Sequence, residues 1–136
     1  MSFQHAFLHI FLIRVCYNSH EEIMKEISAG SVIYRLYKEQ IQYVIIHQIH
    51  GNHFGFPKGH IEHGESIEET IKRECYEEVG IDMTILGYPM YNHYMVKNSI
   101  EKEVIYMLSE TFEDTLKFQK EELYNAMFLS YEEALN

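Results

Sequence analysis

Two rhythms of apolar and polar residues run along this chain. Over residues 66–79 the apolar positions recur at helical spacing. At about 100° per residue, with Ile67 as zero, Ile71 falls near 40°, Cys75 near 80° and Val79 near 120°. Ser66 and Glu69, three residues apart, form a capping box; Gly64 lets the chain turn just before it, and Gly80 suits the left-handed conformation that closes a helix. A helix over 66–79 is therefore expected. Elsewhere the pattern is that of strands. Residues 28–37 and 42–49, rich in β-branched and aromatic side chains and separated by Lys38, Glu39 and Gln40, predict a hairpin. Gly51 and Asn52 break the chain, and Pro57 with its neighbouring glycines keeps 54–60 extended and open to close approach by a ligand. Residues 83–96 are apolar but interrupted by Gly87 and Pro89, which predicts a bent or bulged strand. Lys97, Asn98 and Ser99 turn it, and 103–109 returns. A polar loop carrying Glu110, Glu113, Asp114, Glu121 and Glu122 leads to a last short strand at 126–129. A second capping box, Ser130 to Glu133, then opens a helix that runs to Asn136. Strands around a central helix imply an α/β fold with a mixed sheet between helices.

The central helix carries an anomaly. Glu74 and Glu78 fall near about −20° and 20° on the same wheel, inside the apolar sector, and Glu77 sits at its flank near about −80°. Glu68, Glu69 and Lys72 lie outside that sector. Adjacent half-buried carboxylates need a cation or must take up protons. Mg²⁺ is the natural partner, because a few carboxylates plus water and substrate phosphates complete its octahedron.

Gly59, then Glu65 after five residues, then after seven more the run Arg73-Glu74-Cys75-Tyr76-Glu77-Glu78-Val79-Gly80-Ile81, resembles the Nudix box. That box is the signature of hydrolases that cleave nucleoside diphosphates linked to another moiety. Every fixed position is filled; Cys75 stands where the family favours a bulkier aliphatic residue. Within the family, the stretches 56–65, 102–110 and 128–134 look like the asymmetrical diadenosine tetraphosphate hydrolases, which split their substrate into ATP and AMP by attack of water on phosphorus.

The resemblance covers about residues 27–136 and implies the Nudix α/β/α sandwich with a mixed β-sheet. It implies that Glu74, Glu77 and Glu78 ligate Mg²⁺, or Mn²⁺, with the Gly59 carbonyl as a further oxygen. One carboxylate must accept the proton of the attacking water: Glu74 is favoured, with Glu122 as a competing base or additional ligand. Arg73 and Glu65 would pair and hold the acids in place. Lys58 and His60 would meet phosphate oxygens, and Tyr94 matches a position whose ring stacks on adenine. Two departures stand out. Relatives continue through a complete C-terminal helix that brings a second aromatic to the base, and Phe54 stands where tryptophan is common, a change expected to be tolerated as packing. The domain is thus expected at 24–136, lacking a complete C-terminal helix. Residues 1–23 form an extension, read either as an extra strand or helix packed on the domain or, on a sharper hypothesis, as sequence ahead of a native start at Met24.

Composition narrows the partners. A chain of 136 residues, 46% hydrophobic, is one domain able to bury its own core. A net charge of −10 argues against nucleic-acid and anionic-membrane surfaces and leaves a small nucleotide as substrate. The apolar run 7–15 is too short to span a bilayer, contains His9 and Arg14, and lacks the marks of a signal peptide. Cys16 and Cys75 do not form a metal-type spacing, which suits a reducing cytoplasm. His47, His50 and His53 recur every third residue, a spacing that does not gather zinc ligands on one side of a strand. Oligomeric state is not set by these features. A damaged-nucleotide or RNA-end pyrophosphohydrolase and a non-catalytic nucleotide sensor remain as alternatives.

Overall fold

The computed structural model describes residues 15–16, 22–96 and 99–136. The elements run β1 (Val15–Cys16), β2 (Glu22–Tyr37), β3 (Gln40–Gln48), β4 (His53–Gly55), β5 (Lys58–His60), α1 (Ile67–Val79), β6 (Thr84–Val96), β7 (Ile100–Glu110), β8 (Leu123–Ser130) and α2 (Tyr131–Ala134). Most of the apolar run 7–15, and Lys97 and Asn98 of the expected turn, lie outside the described residues. Among the described residues no helix is long and apolar enough to cross a membrane.

The sheet follows the path β4-β3-β2-β7-β6, with β5 also paired to β2 and β8 to β3. It is mixed, as expected. β2 and β7 are parallel from Met24↔Ile100 to Tyr34↔Glu110, and the other pairings are antiparallel. β2 is the longest strand because it serves three partners: β7 along most of its length, β5 at Ser28–Gly30 and β3 at its far end. It also starts six residues before the expected strand. The charges that hide its first part in the sequence are paired across the sheet, Lys25 Nζ to Glu103 Oε2 at 2.8 Å and Lys102 Nζ to Glu26 Oε2 at 3.2 Å.

The hairpin forms with a tighter turn than expected. Tyr37 pairs with Gln40, leaving Lys38 and Glu39 at φ 48° and 64°, the doubly left-handed turn whose twist matches a two-residue hairpin. β4 was not legible as a strand. It is three residues long and folds back on β3 through the turn at Gly51 and Asn52. β6 is bulged as expected, its register slipping on both sides of Gly87, where Gly87 and Tyr88 take φ of 98° and 54°. β7 and β8 each extend beyond the expected spans.

The core lies under α1. Ile71, Cys75 and Val79 are fully buried against Ala29, Ile33, Val44 and Ile46 of the central strands. After β7 the loop doubles back: Lys117 N–H donates to the Val79 carbonyl at 2.8 Å, and Leu116 and Phe118 pack on the core beside it. This closes the C-terminal end of the helix and carries the chain on to Glu122.

Candidate active site

The rotation of α1 decides which acids face inward. At its N-terminus the Glu69 amide donates to Ser66 Oγ at 3.1 Å while the Ser66 amide donates to Glu69 Oε2 at 2.9 Å. At its C-terminus Gly80, at φ 69°, donates to the Tyr76 carbonyl. With both ends capped and the apolar stripe seated on the sheet, Glu74 and Glu78 are half-buried and Glu77 is exposed.

Arg73 ties the loop before the helix to the helix itself. Its Nε donates to Glu65 Oε2 at 2.7 Å and its Nη2 to Glu65 Oε1 at 2.8 Å, a two-pronged pair. Nη2 also donates to the His60 carbonyl at 3.0 Å, and Nη1 reaches Glu74 Oε1 at 2.7 Å and Glu77 Oε2 at 3.3 Å. Glu65 accepts further bonds from the Glu62 amide and from Thr70 Oγ1. The arginine, aided by these donors, holds the Glu65 carboxyl down to about 2, against the opposing effect of burial. Sequence reasoning missed Thr70: it is fully buried, and only its bond to Glu65 explains a hydroxyl there.

Glu74 and Glu78 are perturbed the other way. Burial raises Glu74 to about 7 although Arg73 opposes it. Burial and the neighbouring Glu74 raise Glu78 to about 8, with the charge of Glu122 adding to the effect and the Lys58 amide, 3.2 Å from Oε2, working against it. The Glu74 carboxylate lies directly on the Cα of Gly59, where any Cβ would overlap it. A side chain at position 59 would therefore force the Glu74 carboxylate to move. The exposed Glu122 reaches the cluster through its field; its backbone is held by the Ile49 amide and Gln119.

The donor chemistry suits a hard divalent cation: oxygens only, two of them desolvated carboxylates whose charges repel. Among the described residues no three His, Cys, Asp or Glu side chains stand in a closed ligating arrangement, and Arg73 Nη1 bonds to both Glu74 and Glu77.

A cleft of about 170 Å³ opens beside this cluster, lined among others by Lys58, Tyr94, Phe54, Phe56 and Tyr106. Side chains alternate along a strand, so with Gly59 turned toward Glu74 its neighbours Lys58 and His60 turn to the other face of the sheet. Lys58 thus joins the two regions, its amide bonded to Glu78 and the residue itself lining the cleft. Tyr94 is in the cleft with it. His60 lies outside the lining, with Nδ1 3.4 Å from Ser28 Oγ. Phe54, Phe56, Tyr106, Gln48 and Asn92 were not read as site residues; nothing local in the sequence marks rings that meet only when distant strands are assembled.

A carboxylate-bearing helix, braced by an arginine and laid on a mixed sheet with a cleft on its other face, defines an α/β/α sandwich domain with an acidic helix. The chain belongs to the Nudix family: the model of the NUDIX domain matches residues 24–136. It is similar to the asymmetrical bis(5'-nucleosyl)-tetraphosphatase of Sus scrofa, 39% identical over 75 residues, covering 52% of this chain and 50% of that protein. It is also similar to the NAD-capped RNA hydrolase NudC of Haemophilus influenzae, 30% identical over 77 residues, covering 57% of this chain and 28% of that protein. The chain thus spans half or less of the length of these relatives. Among solved structures, a C. elegans Ap4A hydrolase in a binary complex superposes with a TM-score of 0.71 at 27% identity, covering 81% of this chain and 83% of that one. The NUDIX domain of Shewanella oneidensis NrtR, complexed with ADP ribose, shares the fold with a TM-score of 0.65 at 15% identity, over 82% of this chain and 76% of that one.

Proposed function

We propose that this chain is a pyrophosphohydrolase that cleaves a phosphoanhydride in nucleoside polyphosphates with the help of Mg²⁺ or Mn²⁺. Its substrate is a dinucleoside polyphosphate such as diadenosine tetraphosphate, giving ATP and AMP. The observation that carries this reading is the pair of desolvated acids, Glu74 and Glu78, braced by the Arg73–Glu65 pair and connected through Lys58 to a cleft. Similarity to the tetraphosphatase and to the Ap4A hydrolase supports the choice of substrate.

Glu74, Glu77 and Glu78, with the Gly59 carbonyl, would hold the ion. Bound there, it supplies an activated water and neutralises phosphoryl charge. Glu74 takes the proton as the water oxygen bonds to phosphorus and the anhydride P–O bond breaks, with Glu122 as the alternative acceptor. Arg73 and Glu65 keep the acids oriented. Lys58, with His60 further along the same strand, meets the phosphate chain, and Tyr94 stacks on the base in the cleft. At about 170 Å³ the cleft is smaller than the roughly 300–1,000 Å³ of a site that engulfs its ligand, so it holds one part of the substrate only.

The test is product release from diadenosine tetraphosphate, GTP and ADP-ribose, each with Mg²⁺ and with chelator. Metal-dependent formation of ATP and AMP, fastest with the dinucleotide, is the expected result. No turnover of any substrate would leave a nucleotide sensor as the better reading.

A further inference from the structure

Tyr94 is not the only ring offered to the cleft. It lies on β6 and Phe54 on β4, strands at opposite ends of the sheet path, yet both line the same cavity. Both are accessible, Tyr94 at 39% and Phe54 at 60%. Phe54 is also supported from behind. His47, outside the cleft lining, stacks on it with ring centroids 4.1 Å apart and planes at 18°, and Tyr124 leans on His47 at 4.9 Å. The imidazole is steadied in turn by Asn52, whose Oδ1 lies 2.8 Å from Nε2. One face of the phenyl ring is thus braced by stacked neighbours while the residue stays open toward the cavity.

We propose that Phe54, held by His47 and Tyr124, is a base-stacking residue that clamps the substrate's nucleobase against Tyr94. The proposal rests on the reading of the cleft as a nucleotide site and adds its second wall. A base inserted between two rings is wetted only at its edges, which suits so small a cavity. Every base has a π-face, so the clamp demands a base without choosing among bases. The amides of Gln48 and Asn92, in the same lining, are the groups able to read its edge.

The chain contains no tryptophan, so Phe54→Trp introduces a single indole at the proposed contact. Its emission is titrated with AMP and with ribose 5-phosphate. Saturable quenching by AMP alone is expected, with apparent affinity falling about tenfold when Tyr94→Ala is added. In turnover of diadenosine tetraphosphate, Phe54→Ala is expected to raise KM about tenfold with the loss falling on KM rather than kcat. Phe54→Trp restores KM relative to the alanine variant, and His47→Ala gives a smaller rise. Emission that does not respond to AMP, or that responds equally to ribose 5-phosphate, overturns the clamp. Absence of turnover on every substrate would overturn the hydrolase reading, and the emission titration would still decide the clamp.

Discussion

Arg73→Lys keeps the positive charge and removes the fork, so it isolates what the geometry of the guanidinium contributes. Lysine presents one nitrogen where arginine uses three to meet Glu65 twice, Glu74, Glu77 and the His60 carbonyl. Hydrogen bonds to charged groups contribute about 1.5–3 kcal/mol each when well formed. Arg73 and Glu65 retain 23% and 17% side-chain exposure, and the lysine recovers part of the attraction. A second route starts from Glu65 itself. Its carboxyl lies at about 2 against an ordinary 4.5, and at about 1.4 kcal/mol per unit the stabilisation of its charge is about 3.5 kcal/mol, with Arg73 the largest contributor. Discounted for that exposure and for what the lysine recovers, the second route gives a loss of about 2 kcal/mol for Arg73→Lys. Urea unfolding of the metal-free protein at neutral pH measures it directly. With a slope of about 1.5 kcal/mol/M the midpoint falls by about 1.3 M while the slope is unchanged. The double variant with Glu65→Gln must then lose less than the sum of the two single losses. A midpoint within about 0.3 M of wild type would refute the assignment of Arg73 as the brace of the loop and helix, because a flexible ammonium would then do as well.

Three further outcomes follow from the same geometry. Glu78→Gln keeps the volume and removes a charge: far-ultraviolet circular dichroism is expected to match wild type while kcat with Mg²⁺ drops by at least about 100-fold, and a variant retaining most of its activity would remove Glu78 from the site. Gly59→Ala drives a methyl into the Glu74 carboxylate, so turnover is expected to fall at least as far as in Glu74→Gln; wild-type kinetics would show that Glu74 need not sit on the β5 backbone. For acid stability, the folded-state value of Glu65 is depressed, so its contribution is complete above the ordinary 4.5 and is lost as pH falls through about 2. Acid titration of wild type should therefore show a loss in that window that is missing in Glu65→Gln, and identical acid profiles would contradict the pairing.

What could be read from the sequence was what short stretches determine on their own. α1 was legible because its caps and its stripe of Ile67, Ile71, Cys75 and Val79 lie within one segment, and the same wheel revealed that Glu74 and Glu78 share that stripe. The bulge in β6 was legible because Gly87 and Pro89 punctuate it. The start of β2 was not: Lys25 and Glu26 look like a solvated stretch until Glu103 and Lys102 are brought opposite them by the parallel pairing with β7. Thr70 was passed over because a threonine on a helix shows no sign of a partner that precedes the helix; only the folded loop brings Glu65 within 3.1 Å of its hydroxyl. The rings of the cleft other than Tyr94 were hidden for the same reason, since Phe54 and Tyr106 belong to strands that come together around the cavity only in the assembled sheet.

The parallel ladder between β2 and β7 joins residues 76 positions apart, and the acidic helix lies in the stretch of chain between them. Closing so long a loop costs entropy before any contact is gained, which delays that step relative to hairpins such as β2–β3. The strands that give α1 its floor, β2 and β3, both precede it in the chain, so the helix can seat its apolar stripe before the late strand arrives. The cluster of Glu65, Arg73, Glu74 and Glu78 can thus gather while β2 still lacks its parallel neighbour, and a nascent polypeptide stalled before β7 would leave that strand edge open to pairing with another chain.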